Sequence, residues 1–292
     1  MPNAMTAMLL HFEDDTPEAE GLARAAGLTP TLVTRDRSAE GELRFQLPHA
    51  LPERVVVYRS LHRPDEKLID LLLLARTASR LGAARLVLVT PCLAGRRADA
   101  EEGEGARIVG AFLAGLFDGV VTVDPHLYGA ADFADAVPAR HAIVVSAVPL
   151  LAELAAARRP RPLLLAMDGA GMPWVQRAAA RHGFDQANCV RAADGEVGPP
   201  ADLDLNGRAV VIVGEVACSV DALARLAQRL RHAGARSVDV AVTHAVFAHD
   251  ALQALRAAGI DEVWSSDSVP HPSNAVSVAP LIAQALYSIG CV

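Results

Sequence analysis

Short, nearly continuous apolar runs alternate with amphipathic Ala/Leu/Arg segments along the whole chain, and this alternation constrains the fold more than any other feature. Strands are expected over 8–12, 54–58, 85–90, 120–124, 142–146, 163–167, 210–213, 238–243 and 262–265. A strand that is apolar on both faces must be covered on both, the situation of a parallel sheet between helical layers. The spacing predicts helices over 17–26, 65–81, 106–117, 149–158, 174–182, 221–232, 250–258 and 278–288. Several open on Pro or an acidic residue, and several close at Gly27, Gly82, Gly183, Gly234 or Gly259, as capping chemistry requires. The expected class is α/β with mostly parallel sheets flanked by helices.

One unit is echoed. Residues 65–90 read as a helix, a Gly-Ala-Ala-Arg turn and a strand, and residues 221–243 repeat that order with Gly234-Ala235-Arg236 at the turn. A length of 292 residues accommodates two domains, with a boundary near 145–160. The stretch from Arg158 to Pro162 reads either as a linker or as the exposed end of a helix.

Composition narrows the partners. A hydrophobic content of 52% excludes a disordered chain. A formal charge of −7, from 27 basic and 34 acidic residues, argues against nucleic acid, whose phosphates need clustered positive charge. Neither a targeting segment nor a membrane-length apolar run stands out, and Cys92, Cys189, Cys218 and Cys291 lack metal or redox spacing. A reduced cytoplasmic protein is expected. Lys67 is the only lysine; every other basic residue is an arginine.

Chemistry is expected where strands end, because open parallel sheets bind ligands at their carboxyl edge. Arg96, Arg97 and Asp99 follow the strand 85–90, where guanidinium forks suit phosphate oxygens, although a solvated charged loop would read the same. Asp124-Pro125-His126 follows 120–124 and offers a ligand for a metal or a nucleotide contact, or simply a surface histidine. Asp168-Gly169-Ala170-Gly171 follows 163–167, where a carboxylate suits a magnesium-bearing phosphate and a tight turn is the plain alternative. In Gly214-Glu215-Val216-Ala217-Cys218-Ser219-Val220-Asp221, only Ser219 offers a hydroxyl, and Asp221 repels a phosphate dianion while making a good N-cap.

Taken in order, these segments resemble the ribose-phosphate diphosphokinases, the phosphoribosyl pyrophosphate (PRPP) synthetases, over nearly the whole chain. Ser38-Ala39-Glu40-Gly41-Glu42 is similar to that family's Phe-Pro-Asp-Gly-Glu adenine loop. Residues 59–71 resemble the segment before its first long helix, and residues 91–99 its ATP-binding stretch. Asp124-Pro125-His126 resembles its Asp-x-His, and Asp168 falls on a metal-binding aspartate. Residues 243–247 and 277–281 resemble its C-terminal signatures.

The resemblance implies two phosphoribosyltransferase-like domains related by a pseudo-twofold, 1–147 on the ATP side and 148–277 on the ribose 5-phosphate side, with 278–292 packing back on the first. It implies a homo-oligomer whose adenine loop reaches a neighbour's site. It further implies transfer of the diphosphoryl group of MgATP to ribose 5-phosphate, giving PRPP and AMP. Carried over residue by residue, Glu40, Glu42, Arg97 and Asp99 fall on the ATP side, and His126 and Asp168 on the Mg2+ side.

Departures concentrate in the second half. The family's loop Asp-Asp-x-x-Ser/Ala-Thr-Gly-x-Thr becomes a degenerate ribose 5-phosphate loop keeping Glu215 and Ser219. Loss of one charge-assisted hydrogen bond there costs about 1.5–3 kcal/mol. The family's catalytic loop carries a Lys and an Arg; residues 188–196 hold Arg191 and no lysine. Removing one transition-state donor typically slows a reaction about 10²–10³-fold. The leading expectation is a weak or inactive homologue serving as an associated or regulatory subunit, in a homo-oligomer or a hetero-oligomer with an authentic synthetase. An active diphosphokinase with substituted residues and a nucleotide sensor are the alternatives, with no nucleic acid or membrane partner in any of them.

Overall fold

The computed structural model describes residues 7–37, 39–40, 43–93, 104–126, 132–167, 169–191, 197–216, 220–248 and 251–292. The chain divides into two compact units, Met1–Val145 with Val278–Val292, and Ser146–Ser277.

The first unit runs β1 (Met8–His11), α1 (Thr16–Ala26), β2 (Thr29–Leu32), β3 (Thr34–Arg37), β4 (Leu43–Gln46), β5 (Arg54–Tyr58), α2 (Pro64–Arg80), β6 (Arg85–Thr90), α3 (Glu104–Ala114), β7 (Gly119–Val123), α4 (Phe133–Ala136) and β8 (His141–Val145). Its six-stranded sheet has the order β2-β1-β5-β6-β7-β8, with every pairing parallel, and β3–β4 stands apart as an antiparallel hairpin. The second unit runs α5 (Val148–Arg158), β9 (Leu163–Ala166), α6 (Met172–Ala180), β10 (Gln186–Asn188), β11 (Val190–Arg191), β12 (Val197–Gly198), β13 (Ala209–Val216), α7 (Val220–His232), β14 (Ser237–His244), α8 (Ala251–Ala257), β15 (Glu262–Ser266) and β16 (Asn274–Val276). Its sheet order, β10-β9-β13-β14-β15-β16, repeats the first strand for strand, and the β11–β12 hairpin is inserted at the position of β3–β4. The echo between 65–90 and 221–243 is thus part of a whole-unit repeat: α2 leads into β6 as α7 leads into β14.

The final helix, α9 (Ala279–Ser288), belongs to the first unit and packs on α1, as α5 packs on α6 in the second. Each first helix is therefore covered by a partner that precedes its sheet in one unit and ends the chain in the other.

Central strands form where the sequence is apolar on both sides: Val55, Val56, Val57, Val87, Leu88, Val89, Val210, Val211 and Val240 are fully buried. Each such side chain contributes roughly 1.5–3 kcal/mol over exposure. Helix starts follow the chemistry read from sequence, with Pro64 in the first turn of α2 beside Asp65 and Glu66. At the end of α1, Gly27 takes φ 66, a left-handed cap that a side chain would strain.

Differences from expectation fall at edges. β2, β10 and β16 border the sheets and lack continuous apolar runs, the β3–β4 hairpin is polar, and β11 and β12 are only two residues each. β13 extends to Val216, so Glu215 lies inside a strand rather than a loop. Of the two readings of 158–162, the helix end is the observed one. Arg159 follows α5, and its guanidinium donates at 2.7 and 2.6 Å to Asp239, which is fully buried, and at 3.2 Å to Glu262.

Candidate functional site at the carboxyl edges

In the first unit the carboxyl ends of β1 and β5 gather charge that the apolar strands leave no other place for. Arg59, one residue past β5, is 1% exposed, and its Nη1 donates to Asp15 at 2.8 Å and also to Asp14. Its Nη2 donates to Asp70 of α2 at 2.9 Å. Asp70 accepts a second hydrogen bond, at 3.0 Å, from Arg35 of β3. Lys67, in the second turn of α2, donates to the Ser60 carbonyl at 2.7 Å and lies 3.5 Å from Asp14. The Arg59 guanidinium also rests 4.3 Å from the Phe12 ring centre.

Burial governs the titration here, and nearby charge opposes it. Asp14 is pushed up by burial, yet the charge and hydrogen bond of Arg59 and the charge of Lys67 bring its carboxyl below the usual range. At Asp15 burial outweighs Lys67 and Arg59, and the carboxyl is raised. Burial lowers the Lys67 ammonium against Asp15. Arg59 is raised, because Asp15 and Asp14 more than offset its burial. His62, half-buried beside Lys67 and Arg63, is lowered to about 4 by its burial and by their charges.

This charged lock was not among the sequence-derived candidates. Its signal is present nonetheless, since Asp14-Asp15 and Arg59 directly follow the strands 8–12 and 54–58. Two residues past Arg59, Leu61 donates its N–H to the Cys92 carbonyl at 2.7 Å and bridges to Leu93. Arg97 and Asp99 lie beyond Leu93, outside the described residues.

At β7, Asp124 is buried with φ 38, an uncommon conformation for a residue with a side chain, and its N–H is held by the Val145 carbonyl at 3.0 Å. The chain turns there and leaves His126 exposed at the sheet edge. Glu40 is exposed in the turn of the β3–β4 hairpin, and its neighbour Glu42 lies outside the described residues.

In the second unit Arg191 ends β11, exposed and paired across the hairpin with Val197. Glu215 is half-buried near the end of β13. Asp168 follows β9 and Ser219 precedes α7, both outside the described residues. The edge beyond β14 and β15 is a hydroxyl-rich network: His244 Nδ1 lies 2.8 Å from Ser268 Oγ, and the Ser266 and Ser268 hydroxyls donate to the Thr243 carbonyl at 2.7 and 2.9 Å. His271 Nδ1 lies 2.6 Å from Ser273 Oγ.

The whole-unit repeat brings one regularity to the predicted loops. Glu40 and Glu42 lie between β3 and β4, and residues 192–196 lie between β11 and β12, so both loops span the inserted hairpin of their own unit. Among the described residues, no three His, Cys, Asp or Glu side chains gather to hold a metal ion. Of the residues expected on the Mg2+ side, His126 presents an imidazole at the carboxyl edge of the first unit, and Asp168 lies outside the described residues.

Two tandem parallel α/β units, each with charged or hydroxyl side chains at its carboxyl edge and a hairpin inserted after the second strand, define a class of two-domain α/β protein built by repetition of one fold. A family model described as the N-terminal domain of ribose phosphate pyrophosphokinase matches residues 7–120, and one described as phosphoribosyl synthetase-associated domain matches residues 167–285. The chain is 31% identical over 267 residues to a ribose-phosphate pyrophosphokinase of Methanopyrus kandleri, covering 88% of this chain and 90% of that protein. It is 30% identical over 281 residues to ribose-phosphate pyrophosphokinase 1 of Archaeoglobus fulgidus, covering 91% and 94%. A phosphoribosylpyrophosphate synthetase structure from Mycobacterium smegmatis superimposes with a TM-score of 0.83 over 98% of this chain and 99% of that one, at 20% identity, which speaks for the fold. The chain belongs to the ribose-phosphate pyrophosphokinase family.

Proposed function

We propose that this chain is a catalytically weakened ribose-phosphate diphosphokinase that serves as an associated or regulatory subunit of an authentic synthetase. The observation that carries the reading is the fate of its single lysine. The family reaction closes a lysine-bearing loop over the transferring phosphoryl group, and Lys67 is instead buried in the first unit, bonded to Ser60 and facing Asp14. Arg191 is then the cation of the hairpin loop, and a planar guanidinium does not reproduce the point charge of an ammonium.

A partial MgATP site is retained. Glu40 and Glu42 address the adenine, Arg97 and Asp99 the phosphates, and His126 and Asp168 hold Mg2+. When bound with ATP, the ion supplies neutralisation of phosphate charge. Glu215 and Ser219 face ribose 5-phosphate with fewer donors than the family loop provides, so binding of that substrate weakens more than binding of ATP. Assembly with further copies or with an authentic synthetase is supported by the outward apolar face of α2, where Ile69 is 57% exposed beside Leu72 and Leu73. A cytoplasmic location follows from the same reading; among the described residues no helix is long and apolar enough to cross a membrane.

The test follows AMP and PRPP in a mixture of the chain, MgATP and ribose 5-phosphate. The expected rate is about 10²–10³-fold below that of an authentic synthetase assayed alongside, with a change in the synthetase's own rate on mixing. A turnover within the ordinary enzymatic range of about 1–10³ s⁻¹ overturns the proposal and establishes an active enzyme using Arg191 and Glu215. ATP binding with neither turnover nor effect on the synthetase points to a nucleotide sensor.

A further inference from the structure

The β3–β4 hairpin is not hydrogen-bonded into the six-stranded sheet, yet both of its strands return to one buried guanidinium. Arg35 and Phe45 are direct cross-strand partners, so their side chains leave the same face of the hairpin. Arg35 donates to Asp70 Oδ2 at 3.0 Å, and that same oxygen accepts from Arg59 Nη2 at 2.9 Å. Phe45 meets Phe12 edge to face at 5.8 Å, and Phe12 lies under the Arg59 guanidinium at 4.3 Å. Arg59 is fixed in turn by Asp15 at 2.8 Å, and Arg59, Asp15 and Asp70 are each 1% exposed. One strand is thus gripped by charge and the other by an aromatic edge, with a rigid buried anchor between them.

We propose that Asp70 and Arg59, acting through Arg35 and Phe45, are positioning residues that hold the β3–β4 hairpin at a set angle and so aim the turn at Ala39 and Glu40. The proposal rests on the reading that Glu40 in that turn meets the adenine of a nucleotide. The tip begins within a few residues of the gripped pair, so movement at Arg35 is carried directly to it. Aim matters because a contact displaced by about 1 Å loses most of its value. The anchor does not touch nucleotide itself; it removes the freedom that binding would otherwise have to freeze.

Arg35→Ala in the full chain tests this, since the Arg35 side chain is 39% exposed and its loss leaves the core residues in place. Amide hydrogen exchange over 34–46 is expected to quicken about tenfold or more, while amides over 54–58 and 85–90 keep their rates. Calorimetric titration with ADP is expected to show affinity about tenfold weaker, and Arg35→Lys, which keeps charge but not the fork, is expected to fall between. Unchanged exchange in the hairpin, or equal quickening of hairpin and core, overturns the proposal, as does quickened exchange with unaltered ADP affinity. If the unaltered chain binds no ADP, the nucleotide reading fails, and the hairpin's exchange still decides whether Arg35 fixes its position.

Discussion

His62 shows how a single side chain in the charged lock writes itself into the pH dependence of the whole chain. Its Nδ1 lies 3.3 Å from Ser60 Oγ, and burial with Lys67 and Arg63 nearby lowers its pKa from 6.5 to about 4. The unfolded chain takes up a proton near 6.5 that the folded chain refuses until about 4. Stability from this group is therefore full above 6.5 and falls as pH drops through that window. Between pH 7 and pH 5 the unfolding free energy from denaturant titrations should change by about 1 kcal/mol less in His62→Asn than in the parent, once partial exposure is allowed for. Counting residues in the sequence exposes the lone lysine but not its fate. Asp14, Arg59 and Asp70 meet only because β1 and β5 are neighbours, a fact of strand order that no local pattern carries.

Among the elements, the central strands were legible because burial on both faces demands continuous apolar residues. The edge strand β2 was not, since Thr29-Pro30-Thr31-Leu32 is mostly exposed and carries a Pro that an edge tolerates. The polar β3–β4 hairpin was invisible for the same reason: its cohesion comes from Arg35 and Phe45 gripping the body rather than from an apolar run. Of the predicted site, strand-end placement was legible for His126, whereas Glu215 moved from loop into strand because β13 runs to Val216. Helix packing carries information that propensity alone misreads. Alanine is the better helix former, yet at Gly110 in α3 an added Cβ would stand 1.8 Å from the Ala136 carbonyl oxygen of α4. Gly110→Ala should therefore destabilise by about 1–3 kcal/mol or more. Gly21→Ala in α1, where the nearest atom is the end of Arg24 at 4.0 Å, should be neutral or stabilising by up to about 1 kcal/mol. Thermal melts of the two variants side by side give the comparison.

Across the whole molecule, the first unit draws on two stretches separated by the whole of the second unit. Ile282, Ala283 and Leu286 of α9 are buried, Tyr287 donates its hydroxyl to the Ala26 carbonyl at 3.0 Å, and Arg85 bonds the carbonyls of Ile289 and Gly290 at 2.7 and 3.2 Å. Deleting 278–292 should cost the first unit about 3–6 kcal/mol from the two large apolar side chains alone. A lowered denaturant midpoint, recovered when a peptide of that sequence is added, is the expected result. This arrangement also sets an order of assembly opposite to the order of manufacture. A domain normally folds as it leaves the ribosome, first made and first finished. Here the second unit is one uninterrupted stretch and can close while its predecessor still waits, with the flank of α1 bare, for the last helix to be released. The half made first is the half finished last, and a nascent chain stalled before α9 emerges would hold one completed unit and one left open to chaperones.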